Sequence, residues 1–305
     1  MNAPLPAPAP SARPTGLKVW IQAARPATLT LSTAPVILGA AFAWIDGVFD
    51  GIAVFFALWV AAFIQIGTNI ANDYFDFKKG ADTADRLGPA RVTQQGWAAP
   101  EVVLRAAILC FALAFLGGLV LVYKAGWILL LVGILSILAG AWYTGGPAPL
   151  AYTGLSDIFV VIFFGPVAVL GTYYAQSRML SLPVGIASIA LGLIATAVLV
   201  VNNLRDRHTD VLANKRTMVV RLGRRFGEAE HAFCMLAPFA IVTAGVLIGW
   251  FRWGALATLA LVPVALYEIR AVRQKDGADL NAHLGGAARA AVLFAIVFSL
   301  GILLT

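Results

Sequence analysis

An all-α membrane protein of nine spanning helices, arranged as two related four-helix bundles plus a ninth helix, is the fold that the sequence predicts. Three observations predict it. Sixty per cent of the 305 residues are hydrophobic and only 12% are charged, with a mean hydropathy of +0.85, which is the composition of a multi-span membrane protein. The chain divides into charge-free apolar runs, most of them long enough to cross a bilayer. Two polar islands, NDYFDFKKGAD from Asn72 and NNLRDRHTD from Asn202, each end a long apolar run, and their Asn-x3-Asp cores repeat at an offset of 130 residues.

Residues 1–16, rich in Pro and Ala, are expected to be disordered or extended ahead of a single intramembrane domain at 17–305. The first apolar run, 26–46, comes late and leads into a second at 51–72, which is unlike a secretory signal. The second run carries the first island at its end. Runs 106–123 and 125–156 follow. The latter is expected to be one helix and then a loop, because TGGPAPLAYTG from Thr144 carries three Gly, two Pro and no helical pattern. Asp157 opens the fifth helix, 158–177, where a carboxylate suits the helix N-terminus. Run 179–204 leads into the second island, and 232–251 is the seventh span. Runs 253–267 and 290–305 are shorter and borrow flanking residues such as Arg270 and Arg289, whose long stems can snorkel.

Nine spans put the termini on opposite faces. Nineteen of the 22 basic residues then fall on the N-terminal side and only Lys124, Arg178 and Arg252 on the other. The positive-inside bias therefore puts the N-terminus and both islands in the cytoplasm, and the C-terminus on the opposite face. The pI of 9.7 is thus a topology signal. It does not point to nucleic acid, since no basic stripe with interleaved aromatics lies outside the apolar runs. Cys110 and Cys234 sit singly within helices and are expected to be small buried hydrophobes.

A carboxylate at the centre of a spanning helix costs about 2.5 to 3.5 kcal/mol, so acids beside the bilayer core need a cavity or a cation. Here there are several. Asn72 and Asp76, and likewise Asn202 and Asp206, share one helix face if their helices continue through them. Asp210 extends the second face by one turn, and Asp73, Asp82 and Asp85 add acid to the first. Carboxylate and amide oxygens are hard ligands suited to Mg²⁺. Lys78, Lys79, Arg86 and Arg91 flank the first island, and Arg205, Lys215, Arg216 and Arg221 the second. That mixture fits a diphosphate, its oxygens bridged by Mg²⁺ and its remaining charge met by Lys and Arg. Anionic lipid headgroups account equally well for any single basic residue. A cation-coupled transporter is the rival class, but transporter carboxylates lie near the midplane beside broken helices, whereas these lie at helix ends. His208, about 200° from Asp206 around a helix, is expected to be solvated. His231 and His283 are expected at the interface. Asn69 and Gln65 continue the first island's face backward and suit either an acceptor contact or a hydrogen bond across the bundle.

The two islands resemble the paired Asp-rich motifs of the UbiA-type intramembrane prenyltransferase superfamily. The detail resembles its menaquinone branch, the 1,4-dihydroxy-2-naphthoate polyprenyltransferases, in four segments: ARPATLTLSTAPVILG from Ala24, NDYFDFKKGADTADRLGPAR from Asn72, YTGGPAPLAYTGLSD from Tyr143 with FFGPVAVLGTYY from Phe163, and NNLRDRHTDVLANKRTMVVRLG from Asn202. Ala27 and Ser156 depart from the branch pattern. The resemblance implies Mg²⁺-dependent transfer of a polyprenyl group from its diphosphate to an aromatic acid. It implies that Asn72, Asp76, Asp206 and Asp210 hold the metal and diphosphate, with Asp73, Asp82 and Asn202 in support. Lys215, Arg86 and Arg205 would neutralise the leaving diphosphate. Tyr143 and Tyr152 would shield the allylic cation, although both suit an interfacial belt as well. Asp157 suits a substrate role or the helix terminus alone.

The distribution of basic residues makes a direct prediction. With Cys110 and Cys234 replaced by Ala, a cysteine beside Lys79 or Arg224 should resist an impermeant thiol reagent added outside intact cells, and one beside Arg178 should be labelled. The reverse pattern would invert the orientation.

Overall fold

The computed structural model describes residues 14–81 and 86–305; residues 1–13, which make up most of the Pro/Ala-rich segment, and Asp82 and Asp85 lie outside it. A short helix α1, Leu17–Ala24, not anticipated from the apolar runs, lies against the first island's helix through Val19 and Ala23. Arg25 turns the chain with a left-handed φ of 54°, and Pro26 opens α2, Pro26–Ile45, a first-turn position where a missing N–H is harmless. Asp50 caps α3, Gly51–Lys78, accepting from the amides of Ile52 and Ala53 at 2.9 and 3.1 Å. Helices α4, Pro100–Ala125, and α5, Ile128–Trp142, complete the first half.

The second half begins with α6, Ser156–Ser177, which is interrupted by a π turn at Phe163–Val167 where Gly165 leaves helical geometry and Pro166 follows. Next come α7, Leu182–Leu212, α8, Arg224–Leu247, α9, Trp253–Gln274, and α10, Gly277–Leu304. Among the described residues eight helices are long and apolar enough to cross a membrane. The expected fourth span, α5, has 15 residues, about 22 Å of helix against a hydrocarbon core of about 30 Å. The run that suggested it, 125–156, therefore holds less helix and more loop than its length implied.

The two islands differ from the expected apolar runs in the opposite sense. Helices α3 and α7 have 28 and 31 residues, roughly 42 and 46 Å at about 1.5 Å per residue, so each overruns the hydrocarbon and carries its island out at one end. The antiparallel pairs α3 with α4 and α7 with α8 are equivalent in the two halves, and α10 closes the bundle against α2, α7 and α9.

Small residues permit close crossings. Gly192 on α7 and Gly165 on α6 face one another, and a Cβ built on Gly192 would stand 2.4 Å from the Val161 carbonyl oxygen. Gly254 and Gly301 make the same kind of backbone approach between α9 and α10. In a membrane such contacts, rather than a hydrophobic driving force, hold helices together. A buried aromatic chain, Phe42, Phe251, Phe298, Phe294 and Phe239, packs at centroid spacings of 5.1 to 6.1 Å.

The polar ends of the bundle are fastened differently. Away from the islands, Lys124 pairs with Asp50, Arg178 donates to the Lys124 carbonyl, and Tyr173 donates to Asp46 at 2.6 Å. On the island side Arg207 and Arg224 both pair with Asp276, and Arg207 holds the Asp276 carboxyl down at about 2.

Leucine at Gly192 should overpack this crossing and cost about 1–3 kcal/mol. Alanine at Gly185, where the nearest atom is 3.8 Å away, should be neutral or stabilising by up to about 1 kcal/mol. Thermal unfolding in detergent separates the two; equal midpoints would remove the close approach as a stabilising feature.

Candidate active site

Because α3 stays helical to Lys78, Asn72, Asp73 and Asp76 emerge together near its end, all buried at 7%, 2% and 1% exposure. Asp76 is the hub. Arg91 reaches one of its carboxylate oxygens at 3.2 Å, while the Tyr152 hydroxyl donates to the other at 3.1 Å and Lys215 approaches that same oxygen at 3.4 Å. Lys215 follows the second island, so the two islands meet through this carboxylate. Tyr152 reinforces the link: its carbonyl accepts the Arg216 amide at 3.2 Å, and the ammonium groups of Lys79 and Lys215 lie 4.8 and 5.1 Å from its ring centroid. Cations at such distances from an aromatic face are attracted by its quadrupole.

The loop after α5 also fastens the first island. Thr144 donates from its hydroxyl to Asn72 Oδ1 at 2.7 Å, and its carbonyl accepts from Lys79 at 2.6 Å. Asp73 faces elsewhere. Its two oxygens accept the amides of Val92 and Thr93 at 2.8 and 2.9 Å, anchoring the turn that also supplies Arg91. Asn69 donates to the Ala24 carbonyl at 2.9 Å and to Thr28 at 3.1 Å, and Gln65 donates to it at 3.5 Å, so its amide joins α1 and α2 to α3.

On α7, Asp206 is paired by Arg205, whose buried guanidinium also donates to Asn202 and to Asn281 at the start of α10. Asn281 in turn donates to the Leu87 carbonyl at 2.8 Å, drawing the loop after the first island toward α10. Arg86 donates to the Pro89 carbonyl at 3.1 Å within that loop, and the Arg86 and Arg205 guanidinium groups both flank Gly88. Asp210, 8% exposed, lies within electrostatic reach of Lys215, Asp206, Asp76 and Arg205. The Tyr143 phenol is pushed above its ordinary pKa by burial first, then by the carboxylates of Asp157, Asp76 and Asp210. Tyr143 therefore borders the acids of both halves. Asp157 itself is 5% exposed in the first turn of α6 and accepts from Asn203 at 3.3 Å. His208 is exposed, while His231 and His283 are buried inside the bundle rather than interfacial.

The structure thus joins Asp76 to Lys215, Tyr152 and Arg91, with Asn72 held by Thr144, Asp206 by Arg205, and Asp210 within electrostatic reach of Lys215, Asp206 and Asp76. Among the described residues no group of three or more His, Cys, Asp or Glu is close enough to hold a metal by itself. Sequence reasoning passed over Thr144, Asn203 and Asn281. Asn203 had a usable signal in its seven-residue spacing to Asp210, which puts both on nearly one face of α7; Asn281 lies 76 residues from its Arg205 partner and had none.

Residues 32–293 match the UbiA prenyltransferase family. The chain is 38% identical over 296 residues to the 1,4-dihydroxy-2-naphthoate octaprenyltransferase of Escherichia coli, covering 94% of this chain and 96% of that one. It is 42% identical over 261 residues to the enzyme of the same name from Mycobacterium tuberculosis, covering 85% and 87%. Its fold is similar to that of a UbiA homolog from Archaeoglobus fulgidus bound to GPP and Mg²⁺, with a TM-score of 0.67 and 15% identity over 94% of this chain and all of that one.

The contrast between adjacent acids is testable. Asp73→Ala removes two buried acceptors and should lower stability by about 2–3 kcal/mol, with Asp73→Asn losing less because it keeps one. Thermal unfolding in detergent measures both, and an unchanged midpoint for Asp73→Ala would refute the anchoring role.

Proposed function

The chain belongs to the UbiA prenyltransferase family, and from its site we propose that it transfers a polyprenyl group from the diphosphate to 1,4-dihydroxy-2-naphthoate, releasing diphosphate and CO₂ and forming a demethylmenaquinol. The observation that carries this reading is the Lys215–Asp76 contact, seated on Tyr152, which joins an acid of the first island to a cation that follows the second. Its relatives' names supply the acceptor. The 19 to 3 distribution of basic residues supports a cytoplasmic site in the inner membrane.

Mg²⁺ fits this donor set, because it binds one or two carboxylates plus substrate phosphates and needs no all-protein cage. Asn72, Asp76, Asp206 and Asp210 would hold it, and when bound it neutralises charge on the departing diphosphate. The chain's own cations do the rest. Lys215, already beside Asp76, and Arg86 meet the diphosphate oxygens as the allylic C–O bond breaks, which lowers the electrostatic part of the barrier. Arg205 acts at one remove by holding Asp206 and Asn202 in place. Tyr152 and Tyr143 turn aromatic surface toward the developing allylic cation. The electron-rich ring attacks that cation, and the carbon then bearing both prenyl and carboxylate loses CO₂, whose bond pair restores the ring.

Acceptors labelled with ¹³C in the carboxyl group test the assignment. Purified protein with Mg²⁺ and farnesyl diphosphate should release labelled CO₂ in step with prenylated naphthoquinol, and Asp76→Asn should slow this by about two orders of magnitude, roughly 2.7 kcal/mol. Turnover of 4-hydroxybenzoate with its label retained, and none of the naphthoate, would refute the reading.

A further inference from the structure

Below the ionic site, three helices bring together polar side chains that the mechanism above does not use. Asn203 on α7 donates from Nδ2 to Asp157 Oδ1 at 3.3 Å. The other Asp157 oxygen, Oδ2, is buried with no hydrogen-bond partner among the described residues, as are Ser156 Oγ beside it and Glu230 Oε2 on α8. Glu230 lies within electrostatic reach of Asp157. A buried carboxylate oxygen lacking a donor is costly, and it is a strong acceptor for any donor that reaches it.

Its depth in the bundle says which donor that is. Asn203 and Asp210 are seven residues apart, only about 20° off a common face, with Asn203 about 10 Å deeper along α7. Asp206 and Asp210 belong to the diphosphate site, and Asn203, about 4.5 Å inside Asp206 along α7, lies with Asp157 at the inner edge of that site. The allylic carbon and the attacking ring must occupy that edge, since the diphosphate leaves toward the ionic site. Tyr143, which feels Asp157, Asp76 and Asp210 together, connects the two levels. Two carboxyl groups repel the acceptor's carboxylate and favour its hydroxyl. With Oδ1 held by Asn203, Oδ2 is the oxygen available to that hydroxyl.

We propose that Asp157, oriented by Asn203 and backed by Glu230, binds the ring hydroxyl next to the attacked carbon and takes its proton during transfer. This rests on the naphthoate reading above. As the ring π pair forms the new C–C bond, the C–O bond pair leaves on the diphosphate and the hydroxyl proton passes to Asp157 Oδ2, making a ring ketone. When the C–CO₂ bond breaks, its pair restores the aromatic ring, and Asp157 returns the proton to oxygen. No proton is consumed overall, in keeping with loss of CO₂ in place of a ring proton.

Steady-state kinetics of the full-length protein in detergent, with Mg²⁺ and farnesyl diphosphate, test this. Asp157→Ala and Asp157→Asn should raise the naphthoate KM or lower kcat so that kcat/KM falls by about 10- to 100-fold, with the farnesyl diphosphate KM unchanged. Asp157→Glu should recover part of the loss, and Asn203→Leu should give a smaller one. A carboxylate that only caps its helix would instead lower the thermal midpoint in all variants and leave both KM values and kcat as in the wild type; that result overturns the proposal. A parallel rise in the farnesyl diphosphate KM also overturns it, because it would move Asp157 into the diphosphate site. Should the wild type prefer a different hydroxylated acid, the naphthoate reading fails, and the same comparison on that acid decides the role of Asp157 separately. If Asp157→Ala does not fold, Asp157→Asn and Glu230→Gln supply the comparison.

Discussion

The structure depends on one carboxylate. Asp76 is 1% exposed at the end of α3 and meets Arg91, Tyr152 and Lys215, which come from three different loops. A buried ion of this kind persists only with several well-placed partners, because its desolvation costs more than a single pair returns. The requirement fixes the course of the chain between helices: the loop after α3 must bring Arg91 back, the loop after α5 must present Tyr152, and the loop after α7 must fold inward with Lys215. Two of these loops bring a second group as well: Thr144 to Asn72, and the turn at Val92 held by Asp73.

A second constraint comes from helix length. Helices α3 and α7 are longer than the hydrocarbon is thick, so their ends rise out of it without breaking the backbone. The island residues therefore sit at one end of the bundle while the same helices continue away from them as apolar surface. The π turn at Gly165 lets α6 press against α7 at Gly192, on the same pair of helices whose island-side ends bring Asp157 to Asn203. Fold and site are thus joined through backbone contacts at glycine rather than through side-chain bulk.

Acids that look alike in the sequence have divided roles in space. Asp73 fastens a turn, Asp76 joins the halves, Asp206 is held by Arg205, and Asp157 keeps one oxygen without a donor among the described residues. The cations divide in the same way. Arg205 is a strut between α7 and α10, whereas Lys215 faces Asp76 and the Tyr152 ring. Placing basic residues near an anionic substrate does not make each one a contact to it, since a guanidinium with several fixed donors is well suited to bracing helices.

By itself the sequence determined the all-helical membrane fold, the duplication and the convergence of two acidic islands, because hydropathy and the 130-residue repeat are properties of the chain read along its length. Its resemblance to a prenyltransferase branch likewise lay in contiguous motifs around Asn72, Tyr143 and Asn202. Helix ends were less legible. Apolar runs stop at the first charge, whereas α3 and α7 run on through charged residues that are buried among partners from the connecting loops, and α5 stops early in a glycine- and proline-rich stretch. The buried histidines were misplaced for the same reason: a polar residue near an apolar run's end looks interfacial until its neighbours are known. What only the tertiary structure decided is which oxygen meets which cation. Lys215 and Asp76 are 139 residues apart, as the numbering shows, and Asn281 meets Arg205 across 76 residues. Coulombic and hydrogen-bond energies depend on separation in space, and the packing of helices at their small residues sets that separation.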